Sequence, residues 1–187
     1  MKKLSTLLLL FIAGFSFGQT WKNDKNHSKI GFTVTHLMIA EVQGSFKTFD
    51  VTITATKDDL SDAVFEVSAD VASISTDVEM RDNDLKSPNF FDAAQFPKLT
   101  FKSTSFKKVE GNKYTLVGDL TVKDKTKSIV FDAIVNGPIE HPRSKKLMAG
   151  VKITGIIKRS DFGIGSAPSA AISDEVVLTA MGEIAKQ

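Results

Sequence analysis

The sequence predicts an all-β domain, a sandwich or a barrel, and three observations lead there. Apolar and polar residues alternate with period two along most of the chain from Ile30 onward. The alternating runs are separated by short turn signals at the spacing of a many-stranded antiparallel sheet. The aromatic content is lopsided, with 14 Phe beside one Trp and one Tyr, so the core is built from rings with no polar atom to satisfy. The 187 residues carry no repeat, low-complexity tract or linker, which predicts one domain.

Residues 1–18 read as an export signal ahead of that domain, which occupies residues 19–187. Met1-Lys2-Lys3 gives a positive start, Leu4 to Phe17 is a mostly apolar run, and Ser16 and Gly18 satisfy the small-residue rule for cleavage before Gln19. The run is too short for a comfortable membrane span, and no second one follows. The chain is therefore expected to be exported, to a periplasm or beyond the cell, without stable membrane insertion. Removing the signal leaves 22 basic against 22 acidic residues. That balance argues against a nucleic-acid partner.

The first strand is expected over Ile30–Met38, with Ile30, Phe32, Val34, His36 and Met38 on one face. A second spans residues 44–56, where the step from Phe46 to Phe49 breaks the even–odd phase and predicts a bulge near Lys47-Thr48. Ala63, Phe65, Val67, Ala69 and Val71 share a face of the third. Leu99, Phe101 and Ser103 mark the fourth. Tyr114 to Val122 form the fifth, closed by the turn Lys123-Asp124-Lys125. Ile129 to Val135 form the sixth, ended by the breaker Asn136-Gly137-Pro138. Val151 to Ile157 and Val176 to Ala180 complete a set of eight.

One segment has a different pattern. Thr76-Asp77-Val78-Glu79 reads as a capping box, with Thr76 as N-cap of a helix running to Lys86 and stopping before Pro88. Asn89-Phe90-Phe91-Asp92 then continues as a turn. Asp82 and Asp84 read as the solvated face of that helix.

No catalytic constellation emerges. Zero Cys removes disulfides, thiolate metal sites and cysteine nucleophiles. His27, His36 and His141 lack the i, i+2 or i, i+4 spacing of a compact metal site, so neither a metal nor a cofactor is expected. No Gly-x-Ser-x-Gly elbow is present, and Gly163-Ile164-Gly165-Ser166 lacks the strand–loop–helix context of a phosphate cradle. His36 shares a face with Ile30, Phe32 and Val34. It reads as a core histidine bonded to backbone, as a contact for a ligand head group, or as a base. His27 reads as a turn or strand-edge partner, and His141 as a residue of a polar loop. Periodicity alone leaves a solid core and a ligand-holding barrel equally open.

Several motifs in order resemble the YceI-like family. They are Trp21, His27-Ser28-Lys29-Ile30-Gly31-Phe32, Thr35-His36-Leu37 and Gly44-Ser45-Phe46-Lys47-Thr48-Phe49. Ile74-Ser75-Thr76, Arg81 to Asp92 and Phe96 to Thr104 are the most specific. Gly118 to Val122, Arg159-Ser160-Asp161-Phe162-Gly163 and Ser173-Asp174-Glu175-Val176 complete the series over residues 20–185. The resemblance implies an eight-stranded antiparallel lipocalin-like β-barrel with one short helix packed at its side. It also implies a secreted protein that binds long amphiphiles such as polyisoprenoids in its pore.

On that reading the protein is a carrier of a long isoprenoid, isoprenoid quinone or fatty-acid-like lipid, without catalysis. The lining expected from strand phase and from the family is Phe32, Val34, His36, Phe49, Phe65, Val67, Leu85, Phe90, Phe91, Phe101, Leu120, Phe131 and Ile153. Arg81, Asp82 and the Arg159–Asp161 segment are expected to brace helix and loops. The alternative is an enzyme acting on a lipid-like substrate with His36 or His27 as base, which requires an acid or nucleophile within reach in the cavity. A homodimer is left open.

Overall fold

The computed structural model describes residues 18–187, so the export signal lies outside the described residues apart from Gly18. Ten strands make one antiparallel sheet. They are β1 (Gln19–His36), β2 (Ala40–Phe46), β3 (Phe49–Ala55), β4 (Val64–Asp70), β5 (Ile74–Ser75), β6 (Lys98–Glu110), β7 (Lys113–Val122), β8 (Lys125–Glu140), β9 (Leu147–Lys158) and β10 (Glu175–Lys186). A single α-helix, α1 (Glu79–Lys86), lies between β5 and β6.

β2 and β3 follow one another along β1, pairing with Ile30–His36 and Gln19–Lys22 respectively. They act as one interrupted rung, and β5 adds only a short pairing to the end of β2. Eight rungs then run from β1 through the β2–β3 pair, β4, β6, β7, β8 and β9 to β10, which pairs back onto β1. The barrel is closed, and closure removes the sheet edges.

Three elements differ from the sequence expectation. β1 begins eleven residues before Ile30 and ends at His36, so Leu37, Met38 and Ile39 form the hairpin turn rather than strand. Met38 is thus 75% exposed, not inward-facing. The phase break between Phe46 and Phe49 is a full interruption of the strand, with β1 bulged opposite it. Asn136-Gly137-Pro138 does not end β8. The strand passes through it with a register shift between Asn136 and Ile139, the behaviour of a bulge.

Thr76 is not the N-cap of α1. That place falls to Val78, which makes no side-chain cap bond. The Thr76 N–H donates to Asp82 Oδ1 at 2.7 Å and its hydroxyl donates to the same oxygen. Arg81 Nε donates back to Thr76 Oγ1 at 2.7 Å and Arg81 Nη2 to Thr76 O at 3.0 Å. Asp82 is therefore buried, correcting its reading as a solvated residue. Burial pushes its carboxyl pKa up, but the Thr76 hydrogen bonds and the nearby Lys86 and Arg81 charges outweigh that and hold it below the ordinary value.

The core has a filled end and a hollow end. Trp21 is fully buried at the start of β1, and Leu60, from the β3–β4 loop, packs in the same cluster with Phe65, Tyr114 and Ile184. Phe106 stacks on Tyr114 at 4.5 Å, with Phe65 edge-on to it. Toward the His36 end the rings lie against the wall. β-Carbons at Gly44, Gly118 and Gly155 would collide with the rings of Phe32, Phe101 and Phe131 respectively. Each ring occupies space that a side chain on the neighbouring strand would otherwise fill. The lumen beside it stays open.

Candidate functional site

Three cavities are stacked along β1 and β10. The inner one, of about 50 Å³, is lined by Asn23, Ser28, Ile30, Phe49, Phe65, Val67, Ile153, Ala180 and Ile184 among others. The middle one, of about 120 Å³, meets Ile30, Phe32, Phe46, Val67, Phe91, Phe101, Leu120, Phe131, Ile153 and Ala180. The outer one, of about 260 Å³, is lined by Phe32, Val34, His36, Thr76, Arg81, Asp84, Leu85, Phe90, Phe91 and Arg159. Inner and middle cavities share Ile30, Val67, Ile153 and Ala180, and middle and outer share Phe32 and Phe91. The three cavities therefore adjoin one another end to end inside the barrel.

Ile30, Ala180 and Ile153 are register partners across β1, β10 and β9, so they make a belt at the waist of the channel. Ala180 has the smallest side chain of the three. The channel from Ser28 to His36 follows about 26 Å of strand at about 3.3 Å per residue. The helical segment forms part of the outer wall. Phe46 contacts Phe91 edge-on at 6.2 Å and Phe32 at 6.1 Å, and Leu85 packs on the same cluster.

The densest set of polar groups gathers at the outer cavity, while Asn23 and Ser28 line the inner one. Arg159 is buried, and its five N–H groups reach the carbonyls of Ile164, Gly165, Ala167, Ile172 and Ser173, four of them at 3.1 Å. That guanidinium holds the loop before β10 in place along the rim. Asp174 supports the same loop by accepting from Ser160 N–H at 3.0 Å and Ser160 Oγ–H at 2.8 Å. Those bonds, aided by the Arg159 charge, hold its pKa below the ordinary value. The rim loop continues along β1, where Leu37 N–H donates to Ala171 O at 3.0 Å.

The sequence profile of the YceI-like domain matches residues 21–184. The chain belongs to the YceI-like family. A UPF0312 protein of Staphylococcus aureus is 40% identical over 141 residues, 75% of this chain and 80% of that relative. The crystal structure of the Campylobacter jejuni YceI protein is similar with TM-score 0.76 at 30% identity, covering 82% of this chain and 90% of that one. A polyisoprenoid binding domain from Saccharophagus degradans is similar with TM-score 0.67 at 13% identity, covering 89% and 98%. At that identity the shared property is the fold.

In this YceI-like barrel every side chain singled out as lining borders one of the cavities. Phe32, Val34, His36, Leu85, Phe90 and Phe91 border the outer one. Phe101, Leu120, Phe131 and Ile153 border the middle one, and Phe49, Phe65 and Val67 the inner one. Residues missed include Phe46, Leu116 and Ala180. Leu116 and Ala180 carry the strand phase that identified their neighbours.

His36 is exposed at the rim and its ring makes no hydrogen bond or ion pair among the described residues, which corrects its reading as a core histidine bonded to backbone. Its phase is inward, but it is the last residue of β1, where the barrel opens. His27 pairs with Asp24 at 3.0 Å and borders none of the three cavities. His141 Nδ1 accepts the Arg143 and Ser144 amides in its turn. Among the described residues, no histidine in the channel has a carboxylate within 4.0 Å.

Proposed function

We propose that this YceI-like domain is an exported carrier for a long apolar amphiphile, a polyisoprenoid, isoprenoid quinone or fatty-acid-like lipid, without catalysis of its own. The observation that carries the reading is a row of adjoining cavities inside the barrel, apolar in its middle section, with a cluster of charged and polar groups at the outer rim. The tail runs inward past the Ile30–Ala180–Ile153 belt toward Trp21. The polar end stays beside His36, Arg81 and Thr76. The Saccharophagus degradans domain of the same fold is described as polyisoprenoid-binding, which supports the ligand class.

The energetics favour length. Each buried methylene contributes about 0.8 kcal/mol, against an association cost of roughly 4–15 kcal/mol. A ligand with few apolar carbons barely breaks even, whereas a long chain gains a clear surplus. Among the described residues no carboxylate lies within 4.0 Å of His36, which favours the carrier over the enzyme reading.

Native mass spectrometry of the protein purified from its own host, followed by organic extraction, tests the proposal. The expected result is a mass increment that extraction releases as an apolar long-chain lipid. A ligand-free mass, together with no binding of added solanesol or ubiquinone, overturns it.

A further inference from the structure

Outside the channel, Asp24, His27 and Glu183 bring one donor atom each to within 4.8 Å of one another. His27 Nδ1 lies 3.0 Å from Asp24 Oδ2 and 3.9 Å from Glu183 Oε2. An irregularity of the backbone builds this convergence. The β1–β10 register steps from Asn23↔Ile184 to Ser28↔Gly182, so Asp24, Lys25, Asn26 and His27 stand opposite Glu183 alone. Bulges of this kind re-aim side chains. The Asn26 amide donates to Asp24 Oδ1 at 2.8 Å, which leaves the other carboxylate oxygen facing the imidazole. After the bulge the strands close tightly, since a β-carbon at Gly182 would collide with Ser28.

Charge at this point is unbalanced. Among the described residues no Lys or Arg nitrogen lies within 4.0 Å of Asp24 or Glu183, and the only group answering both is His27. The Asp24 hydrogen bond and the charges of Asp24 and Glu183 accordingly hold the His27 pKa above its ordinary value.

We propose that Asp24, His27 and Glu183 form a binding site for a first-row divalent cation of the Zn²⁺ class, set on the seam between β1 and β10. Zinc takes imidazole nitrogen and carboxylate oxygen at about 2.0–2.2 Å, so adjacent donors in octahedral to tetrahedral geometry lie about 3.0–3.5 Å apart. The His27–Asp24 separation fits, and the Glu183 side chain, half exposed, closes the rest by rotation. Neutral imidazole with two carboxylates cancels the charge of the ion. The cation takes the Nδ1 lone pair, and the proton held there leaves to solvent. Imidazole favours Zn²⁺, Ni²⁺ or Cu²⁺ over Mg²⁺ and Ca²⁺. Three protein donors leave the remaining positions to water. The ion would cross-link the first and last strands of the barrel, a role independent of what the channel carries.

Calorimetric titration of ZnCl₂ into the chelator-treated protein tests the site, with MgCl₂ as comparison. Expected are one Zn²⁺ site, no Mg²⁺ signal, and affinity reduced at least about tenfold by His27→Ala and by Glu183→Gln but kept by His141→Ala. Absence of Zn²⁺ binding, or binding that survives His27→Ala, overturns the proposal. Should a variant fold poorly, imidazole NMR of the unaltered protein decides instead. Zinc shifts the His27 ring signals if the assignment is right, and a shift confined to His36 or His141 refutes it.

Discussion

Replacing Ala180 with Phe tests whether a chain threads the full channel. Ala180 sits between Ile30 and Ile153 at the waist and borders both the middle and inner cavities. A ring there points into empty space rather than packed core, so the stability cost should stay at or below the roughly 1–3 kcal/mol of ordinary overpacking. It separates the inner cavity, about 50 Å³, from the rest. Excluding one five-carbon isoprene unit from that section forfeits up to about 4 kcal/mol at about 0.8 kcal/mol per carbon, or about a thousandfold in Kd. The assay is competition against a fluorescent lipid probe, comparing solanesol with geraniol. Solanesol should weaken by two to three orders of magnitude, about 3–4 kcal/mol. Geraniol, housed in the outer and middle cavities, should be unchanged. Equal loss for both alcohols, or no loss for solanesol, refutes the threading geometry.

Three further outcomes follow from the same structure. Gly44→Ala should push the Phe32 ring off the wall into the passage between middle and outer cavities, lowering lipid affinity while costing about 0.5–1.5 kcal/mol of folding stability by urea titration. Arg159→Met leaves buried carbonyls of the rim loop without donors, so urea unfolding should show a loss of at least about 3 kcal/mol, and limited proteolysis should cut between Ile164 and Ser173. The Asp82 pKa is depressed in the folded state, so its stabilising contribution is present above the ordinary carboxylate pKa and is lost as pH falls through the lower folded value. Thermal melts from pH 6 downward should therefore show a smaller acid-induced drop in Thr76→Val than in the unaltered protein, because Thr76→Val removes the hydroxyl donor to Asp82.

Much of the barrel could be read from alternation alone. β7 and β8 are regular because each residue faces either core or water, so Tyr114, Leu116, Leu120, Phe131 and Ala133 declare their face. Illegible segments were those where tertiary pairing overrides pattern. Lys22 to Lys29 is polar almost throughout, yet it is strand because β10 and β3 pair along its first part and β10 resumes after the bulge. Leu37-Met38-Ile39 is apolar, yet it is a turn in which Leu37 and Met38 adopt left-handed backbone angles. Thr76 and Asp82 carry the residue types of a helix cap and a solvated face, and only their mutual hydrogen bonds show that they are a buried hub. The lining was readable because inward phase and cavity wall coincide. The openness of the lumen was not, since it depends on glycines of adjacent strands lying under the rings. Spacing likewise concealed the Asp24–His27–Glu183 cluster, whose third member arrives from the far end of the sequence.

The pairing of β1 with β10 also constrains how the molecule is made. All other barrel partners are near neighbours in sequence, so hairpins such as β7–β8 can zip early. The last seam joins residues 144 to 165 positions apart, from Thr33 with Val177 to Trp21 with Lys186. Such long-range pairing is slow. Until β10 docks, the nascent sheet is an open, twisted surface whose apolar inner face is in water. The chain cannot complete the barrel before β10 has been made, and the open sheet is the species most exposed to aggregation. The same adjacency makes the fold tolerant of re-cutting. A short loop joining Gln187 to Thr20, already bonded through their backbones at 2.9 Å, would let the chain start at any exposed turn and keep its container intact.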